Sequence, residues 1–243
     1  VGNYYLCEQI KVDENRVNIN ELEDTDTEGD AITGGYLMEL DTYYDEVNKF
    51  KSSIKNLPYM FKDPDEDVLN EQQFTYMKNY VNKLEEVLYD DVAFAAREYA
   101  NYIDIDTYID WWLVHELAFN GEPNHPKSSY MHKDKLGKLK AGPVWDFDWG
   151  TFVPTSTTMR LSNAIYYGRL LSDPVYVARL KERWAELKPK FEEIPAFIEG
   201  EKVRLSKSAD INIKLWPISS RTNGDETLTY DEAVTRMINA YKS

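Results

Sequence analysis

Hydrophobic residues along the chain switch between the two-residue repeat of strands and the three- or four-residue repeat of helices, and each pattern holds over a separate stretch. Residues 3–12 are apolar and rich in aromatic side chains, which is typical of a strand, and residues 15–19 could form its hairpin partner. A Gly-Gly turn opens a further strand, predicted over 34–41. The first part of the chain is therefore expected to be β-rich.

The middle of the chain carries two helical patterns. Over 68–90 the apolar residues recur at alternating spacings of three and four, which predicts one buried stripe, and Asp65 or Asp67 could cap its start. A second helix is predicted from Asp106, as its N-cap, to Asn120. The stripe of the first helix consists of Phe74, Met77, Val81, Leu84 and Leu88.

The second half returns briefly to strands and then becomes helical. Short strands are predicted over 129–133 and 138–141, and the remainder, from about Leu161, has mainly helical spacing with a helix start at Asp173-Pro174. Separate runs of strands and helices favour the α+β class.

We therefore expect one α+β domain with a helical C-terminal half. The chain opens on Val1 within a predicted strand, so we also expect it to be a fragment of a longer protein. The domain is predicted to have a β-rich part over 1–66, a part with helices and strands that carries the site over 67–160, and a helical part over 161–243.

Charge limits the possible partners. The 243 residues include 43 acidic and 28 basic side chains, a net charge of −15, which disfavours nucleic acid and anionic membranes as partners. A phosphate-bearing ligand would need a metal ion to offset this acidic field. Cys7 is the only cysteine, so an intrachain disulfide and a cysteine-based zinc site are both excluded. No apolar run approaches the roughly 20 residues of a membrane-spanning helix.

An acidic stretch, residues 21–30, holds six acids and no base. It is expected to be a mobile, solvated loop. The alternative is a calcium loop, because the spacing of its acids and its Gly29 approximates a D-x-D-x-D-G pattern. In that pattern position 12 would be Gly35, where a bidentate glutamate is required.

The segment "GPVWDFDWGTF" gives the strongest local signal for chemistry. On a strand, Asp146 and Asp148 would share one side, while Trp145, Phe147 and Trp149 would share the other. A half-buried strand with its acids in solvent has the same pattern. However, two neighbouring carboxylates repel each other, and such a pair can hold Mg²⁺, which takes its other ligands from water and substrate phosphates.

A polar loop after the second predicted helix is the other candidate. Asn120, Glu122, Asn124 and His125 lie there between prolines, so the loop could either carry a site or use these residues only for its turn. The three histidines lack a recognised zinc spacing, and no G-x-S-x-G, P-loop or G-x-G-x-x-G motif occurs.

The motifs together resemble the CotH family, named for spore coat protein H. They are "GNYYLCEQI", "GGYLMELD", "IDTYIDWWLVHEL" and "SSYMHKDKLGKLKAGPVWDFDWGTF", in order from Gly2 to about Phe152. The resemblance implies a diverged protein-kinase-like fold and transfer of phosphate from ATP to Ser or Thr of a protein. The sequence of these motifs is similar to that of CotH-like proteins from gut Bacteroidetes. This similarity implies export to the cell surface.

The resemblance also implies roles for individual residues. Trp145, Asp146 and Asp148 match the family's metal- and nucleotide-binding W-D-x-D motif, with Asp146 as the first Mg²⁺ ligand. Asn120 and Glu122 stand at the family's N-x-D, so Glu122 replaces the catalytic Asp. The family's first strands and its nucleotide-contacting lysine would precede Val1, and Glu8 matches a family glutamate.

Two other classes of function stay open. A non-catalytic binding module for surface glycans or proteins is one, because Glu122 departs from the family and Trp111 and Trp112 could stack on sugar rings. A hydrolase with paired carboxylates is the other. It needs two acids about 5 to 10 Å apart around a cleft, which parallel side chains on one strand would not provide.

Overall fold

The computed structural model describes residues 7–148, 150–152, 158–217 and 228–242. Five strands form one antiparallel sheet. The strands are β1 (Tyr36–Leu40), β2 (Lys49–Lys51), β3 (Pro58–Asp63), β4 (Ser129–Lys133) and β5 (Leu139–Ala141). Their order across the sheet is β2-β3-β1-β4-β5, so β1 is central and pairs with β4 from much later in the chain.

Three of the predicted strands are confirmed, at 34–41, 129–133 and 138–141. The sequence did not reveal β2 and β3. The first has only three residues, too few to establish an alternation. The second is buried on both faces over its first four residues, so it does not show the alternation of a half-buried strand.

The predicted N-terminal hairpin is wrong over the residues that can be assessed; residues 1–6 lie outside the described part. Residues 7–19 contain no regular strand, and a single bridge joins Val12 to Val17. The chain turns sharply between them, because the Arg16 N–H donates to the Asp13 carbonyl at 3.0 Å. The apolar side chains of this segment cover the sheet instead of pairing as a hairpin.

Helices make up most of the rest. They are α1 (Glu71–Tyr89), α2 (Asp91–Ala95), α3 (Ile105–Leu117), α4 (Tyr167–Leu170), α5 (Pro174–Phe191), α6 (Ile194–Leu215) and α7 (Tyr230–Lys242). The helical C-terminal half and the start after Asp173 are confirmed, since the Asp173 carboxylate accepts from the Val175 N–H. No helix in the described ranges has both the length and the apolar character needed to cross a membrane.

Two predicted caps are corrected. Helix α1 begins after Asn70, whose side chain forms a capping box with Gln73, so Asp65 and Asp67 do not cap it. Helix α3 begins after Asp104, which accepts from the Thr107 N–H. It also ends at Leu117 and therefore does not include Asn120.

The sheet has two differently covered faces. Tyr36, Met38 and Leu40 of β1 point to the main core, where α1, α3 and α4 pack. Leu37 points to the other face, where it meets Tyr130, and four further residues pack there: Ile10, Val12, Val17 and Ile19. Trp145 also packs on this second face. The N-terminal segment and the start of the W-D-F-D segment are thus neighbours.

The acidic loop over 21–30 is tied to the start of α1. The Gln73 side-chain amide donates to the carbonyls of Glu23 and Asp26, at 2.7 and 3.2 Å, and Asn70 donates to the Asp24 carbonyl at 2.8 Å. These bonds argue against a detached loop. Within the described residues no group of three or more Asp, Glu, His or Cys is placed to hold a metal ion, so the calcium interpretation gains no support.

Candidate functional site

The W-D-F-D segment follows β5 but is not a strand. Residues 142–148 have no regular structure, and Asp146 adopts a left-handed backbone with φ of 64°. The predicted strand is therefore wrong, and Trp149 lies outside the described residues. A left-handed aspartate is tolerated because its short polar side chain can bond locally, and such backbone positions are enriched at functional sites.

Several contacts hold this irregular segment in place. The Gly142 N–H donates to the Tyr130 carbonyl at 2.8 Å. The ring of Phe147 lies 4.8 Å from that of buried His115, and the Thr151 hydroxyl donates to the Phe147 carbonyl at 2.6 Å. Asp146 and Asp148 stay exposed while Trp145 and Phe147 are half-buried. The acids are therefore exposed and these two aromatic side chains partly buried, as predicted, although the segment is not a strand.

The two acids of the segment interact with each other. Partial desolvation of the Asp146 carboxyl raises its pKa. The neighbouring Asp148 raises this pKa further through its charge and a hydrogen bond. The Ser128 hydroxyl donates to Asp146 at 3.2 Å, which lowers this pKa. Asp41, at the end of β1, adds another negative charge. The arrangement concentrates carboxylates beside one another, a geometry that a bound cation would stabilise.

Asp41 is a site residue that the sequence interpretation missed. It is 6% exposed and accepts from two N–H groups, that of Tyr43 at 2.7 Å and that of Ser128 at 3.2 Å. It therefore fixes the backbone of the residue that bonds Asp146. The available signal was an acid closing the "GGYLMELD" motif at the end of a strand.

Asn120 and Glu122 lie in the turn after α3. Asn120 is 1% exposed, and its side-chain oxygen accepts from the Glu122 N–H at 3.0 Å, so it shapes the turn. Burial raises the pKa of Glu122, and the charges of Asp146 and Asp148 raise it further, while Lys127 opposes them. The structure thus brings Glu122 into the electrostatic field of the acidic pair.

The other two loop candidates have different surroundings. Asn124 donates from its side chain to the carbonyls of Gly121 and Arg160, at 3.1 and 3.0 Å, which fits the turn interpretation. His125 is exposed. Neither contacts the acidic pair through a described hydrogen bond.

A cavity of about 740 Å³ opens beside the acidic pair. Its volume is in the range of small-molecule sites. Glu8, whose family match had no assigned role, lies in its wall together with Arg16, which the sequence interpretation missed. Asn120 and Glu122, the candidate catalytic residues, do not line this cavity. The wall consists of Cys7, Glu8, Arg16, Val144, Trp145, Asp146, Phe147 and Asp148.

A second cavity, of about 610 Å³, lies between α5, α6 and α7. Its wall is mainly apolar, with Trp184, Phe191 and Tyr241 among its residues. The cavity at the W-D-F-D segment is the better candidate, because it combines apolar walls with polar groups of perturbed pKa.

The acidic pair suits a magnesium ion bound through a substrate. The described residues hold no ready cage of three or more ligands. Mg²⁺ commonly uses only one or two carboxylates and completes its shell with water and phosphate oxygens. Asp146 and Asp148, exposed and mutually repelling, meet that requirement.

Trp111 and Trp112 do not form a sugar-binding surface. They are 4% and 3% exposed, and Trp111 stacks on Tyr167 in the main core with ring centroids 5.9 Å apart. The stacking role proposed for them in a glycan-binding module is therefore wrong. Both tryptophans lie in the core because α3 is buried on most of its surface and directs its aromatic side chains inward.

Comparison with known proteins identifies one family. The family model described as CotH kinase protein matches residues 1–241. No curated protein has significant similarity to the chain. The match spans both the acidic pair and the C-terminal helices.

Proposed function

Because the chain belongs to the CotH kinase family, we propose that it transfers phosphate from ATP, with Mg²⁺, to Ser or Thr hydroxyls of a protein acceptor. The observation that carries this proposal is the Asp146–Asp148 pair in the wall of a cavity, with Glu122 inside its electrostatic field. Phosphoryl transfer depends mainly on positioning and charge stabilisation, which such a cluster can supply around a metal-bound triphosphate.

Asp146 and Asp148 would hold the magnesium ion. When bound, the ion would neutralise charge on the phosphate oxygens. Ser128 and Asp41 would keep Asp146 in position through their hydrogen bonds. Trp145 would offer its half-buried ring as an apolar wall for the nucleotide.

Glu122 would act as the base. Its raised pKa makes it a better proton acceptor than an ordinary carboxylate, and Asn120 fixes its backbone. The carboxylate would take the proton of the acceptor hydroxyl, whose oxygen would bond to the γ-phosphorus as the bond to the β-phosphate oxygen breaks. ADP and a phosphoserine or phosphothreonine would result.

Transfer of label from γ-labelled ATP tests this proposal. We expect the full chain, incubated with Mg²⁺ and a mixture of protein acceptors, to yield labelled phosphoserine or phosphothreonine. The Asp146→Ala variant should yield none. Equal labelling by the variant, or no labelling by the unaltered protein, would argue against the assignment.

An exported, cell-surface location accompanies the proposal and rests on the resemblance alone. The glycan-binding alternative loses one of its two supports, since the two tryptophans invoked for it are buried. The acceptor is accordingly proposed to be a protein.

A further inference from the structure

Arg16 lies in the wall of the cavity that holds the acidic pair. Of the described residues in this wall, it is the one basic side chain, and Glu8, Asp146 and Asp148 are the acidic ones. A triphosphate carries several negative charges, so a site with this balance needs cations wherever phosphate oxygens are not bound to metal. Within the wall, Arg16 is the basic group available for that purpose.

The guanidinium of Arg16 is only loosely engaged. Its Nε lies 3.6 Å from a carboxylate oxygen of Glu8, and its Nη2 lies 3.5 Å from the Val144 carbonyl oxygen. Nε is buried without a hydrogen-bond partner among the residues described. An arginine has five N–H donors in a planar fork, so both donors of Nη1 and one donor of Nη2 have no partner among the described residues.

Arg183, an arginine of similar exposure elsewhere in the fold, is engaged differently. The side chain of Arg183 is 26% exposed and that of Arg16 is 24% exposed. Arg183 nevertheless donates two hydrogen bonds to the carboxylate of Asp110, at 2.7 and 2.8 Å. That geometry is the usual one for a structural arginine–carboxylate pair. Exposure is nearly equal, so it does not explain why Arg16 lacks such a partner.

Arg16 is nonetheless presented from a fixed backbone. Its N–H donates to the Asp13 carbonyl at 3.0 Å, and the next residue, Val17, is 2% exposed against the sheet. Among the ion pairs of the described residues, none joins Arg16 to Asp146 or Asp148. The cation and the acidic pair therefore share one cavity without neutralising each other.

We propose that Arg16 binds the phosphate oxygens of the nucleotide that the metal-binding acids do not reach, with Glu8 orienting its guanidinium in the free protein. This inference rests on the proposed phosphotransferase function and names a phosphate-contacting residue for it. The planar fork of arginine matches phosphate geometry through paired hydrogen bonds. Binding would exchange the 3.6 Å contact with Glu8 for shorter bonds to phosphate.

Calorimetric titration of the full chain with three probes tests the inference: ATP with Mg²⁺, inorganic tripolyphosphate with Mg²⁺, and adenosine. We expect Arg16→Gln to weaken binding of ATP and of tripolyphosphate by about 10- to 100-fold, the range for losing hydrogen bonds to a charged group. Adenosine should bind both proteins equally. Arg204→Gln, which removes an exposed arginine of α6 paired with Glu201, is the matched control and should bind all three probes as the unaltered protein does.

Different results separate this inference from the function on which it rests. If the unaltered protein binds ATP with Mg²⁺ and Arg16→Gln binds it equally well, the role of Arg16 is overturned and the proposed function stands. If the unaltered protein binds neither ATP nor tripolyphosphate, both are overturned.

A measurement on the unaltered protein covers the case in which the variant does not fold. Phenylglyoxal modifies accessible arginines, and mass spectrometry locates the modified residues. ATP with Mg²⁺ should slow modification of Arg16 severalfold without affecting Arg204, and adenosine should protect neither. Equal modification of Arg16 with and without ATP would overturn the inference.

Discussion

The side-chain hydroxyl of Ser128 donates a hydrogen bond to the carboxylate of Asp146 at 3.2 Å, across 18 positions of sequence. The same residue donates its backbone N–H to Asp41 at 3.2 Å. Ser128 thus connects the end of the central strand to the acidic segment. Because Asp146 is exposed and lies on an irregular segment, this bond is one of the few restraints on its side chain.

Replacing Ser128 by Ala should loosen Asp146 and weaken magnesium-dependent ATP binding. One hydrogen bond contributes about 1 kcal/mol, so we expect affinity to fall about fivefold. Titration calorimetry at fixed Mg²⁺ measures the change. Ser206→Ala, at an exposed serine that bonds a carbonyl of its own helix, should have no effect. Identical affinities for Ser128→Ala and Ser206→Ala would rule out this positioning role.

Replacing Glu122 by Gln should separate catalysis from binding. The amide cannot take a proton, so kcat for phosphate transfer should fall by about 100- to 10,000-fold. Affinity for ATP with Mg²⁺ should change little, because Glu122 lies outside the cavity wall. The exposed Glu66 provides a control through Glu66→Gln. Unchanged kcat in Glu122→Gln would show that another group accepts the proton.

Replacing Glu85 by Ala should destabilise the fold. Its carboxylate is fully buried and accepts from the N–H groups of Ile54 and Lys55, at 2.6 and 3.0 Å, and from the Tyr166 hydroxyl at 3.0 Å. Removing this acceptor takes one partner from the buried Tyr166 hydroxyl and from two part-buried N–H groups, at a cost of about 3 kcal/mol in the free energy of unfolding.

Urea denaturation measures this loss against Glu86→Ala. Glu86 is the next residue of α1, and its side chain is 58% exposed, so its replacement should change stability by less than about 0.5 kcal/mol. Similar midpoints for both variants would contradict the assigned role of Glu85.

Asp63 should make stability depend on pH. Burial, followed by the charges of Glu21 and Asp65, raises the pKa of its carboxyl to about 6. The folded protein therefore holds this proton more tightly than the unfolded chain, whose value is near 3.8. That contribution to stability is fully present below about pH 4 and is lost as pH rises through about 6.

The Asp63→Asn variant should consequently gain thermal stability relative to the unaltered protein between pH 4 and pH 7. Thermal melts at several pH values measure the difference in Tm. The control is Asp67→Asn, at an exposed aspartate, for which the difference should stay nearly constant. A difference for Asp63→Asn that does not vary with pH would refute the raised pKa.

Local features of this chain were predictable from sequence where short-range chemistry decides them. The strand over 129–133 and the helix start at Asp173 follow from β-rich spacing and from a capping aspartate before proline. The exposure of Asp146 and Asp148 was predictable for the same reason, since acids between aromatics stay in solvent.

The rest depends on contacts between distant residues. Hydrophobic spacing does not reveal that Asp146 has a positive φ, which removes the predicted strand. Nor does it reveal that Arg16 reaches the cavity, because the segment around it covers the sheet as a tight turn. Asp41 joins the site only because β1 pairs with β4, whose first residue follows Ser128.

Calorimetric titration of ATP onto the full chain, with and without Mg²⁺ and with Asp146→Ala beside the unaltered protein, tests the central claim most directly. The unaltered protein should bind ATP in a magnesium-dependent manner, and the variant should lose that dependence together with most of its affinity. Binding that is the same in both proteins, or unchanged when Mg²⁺ is removed, would contradict a magnesium site at Asp146.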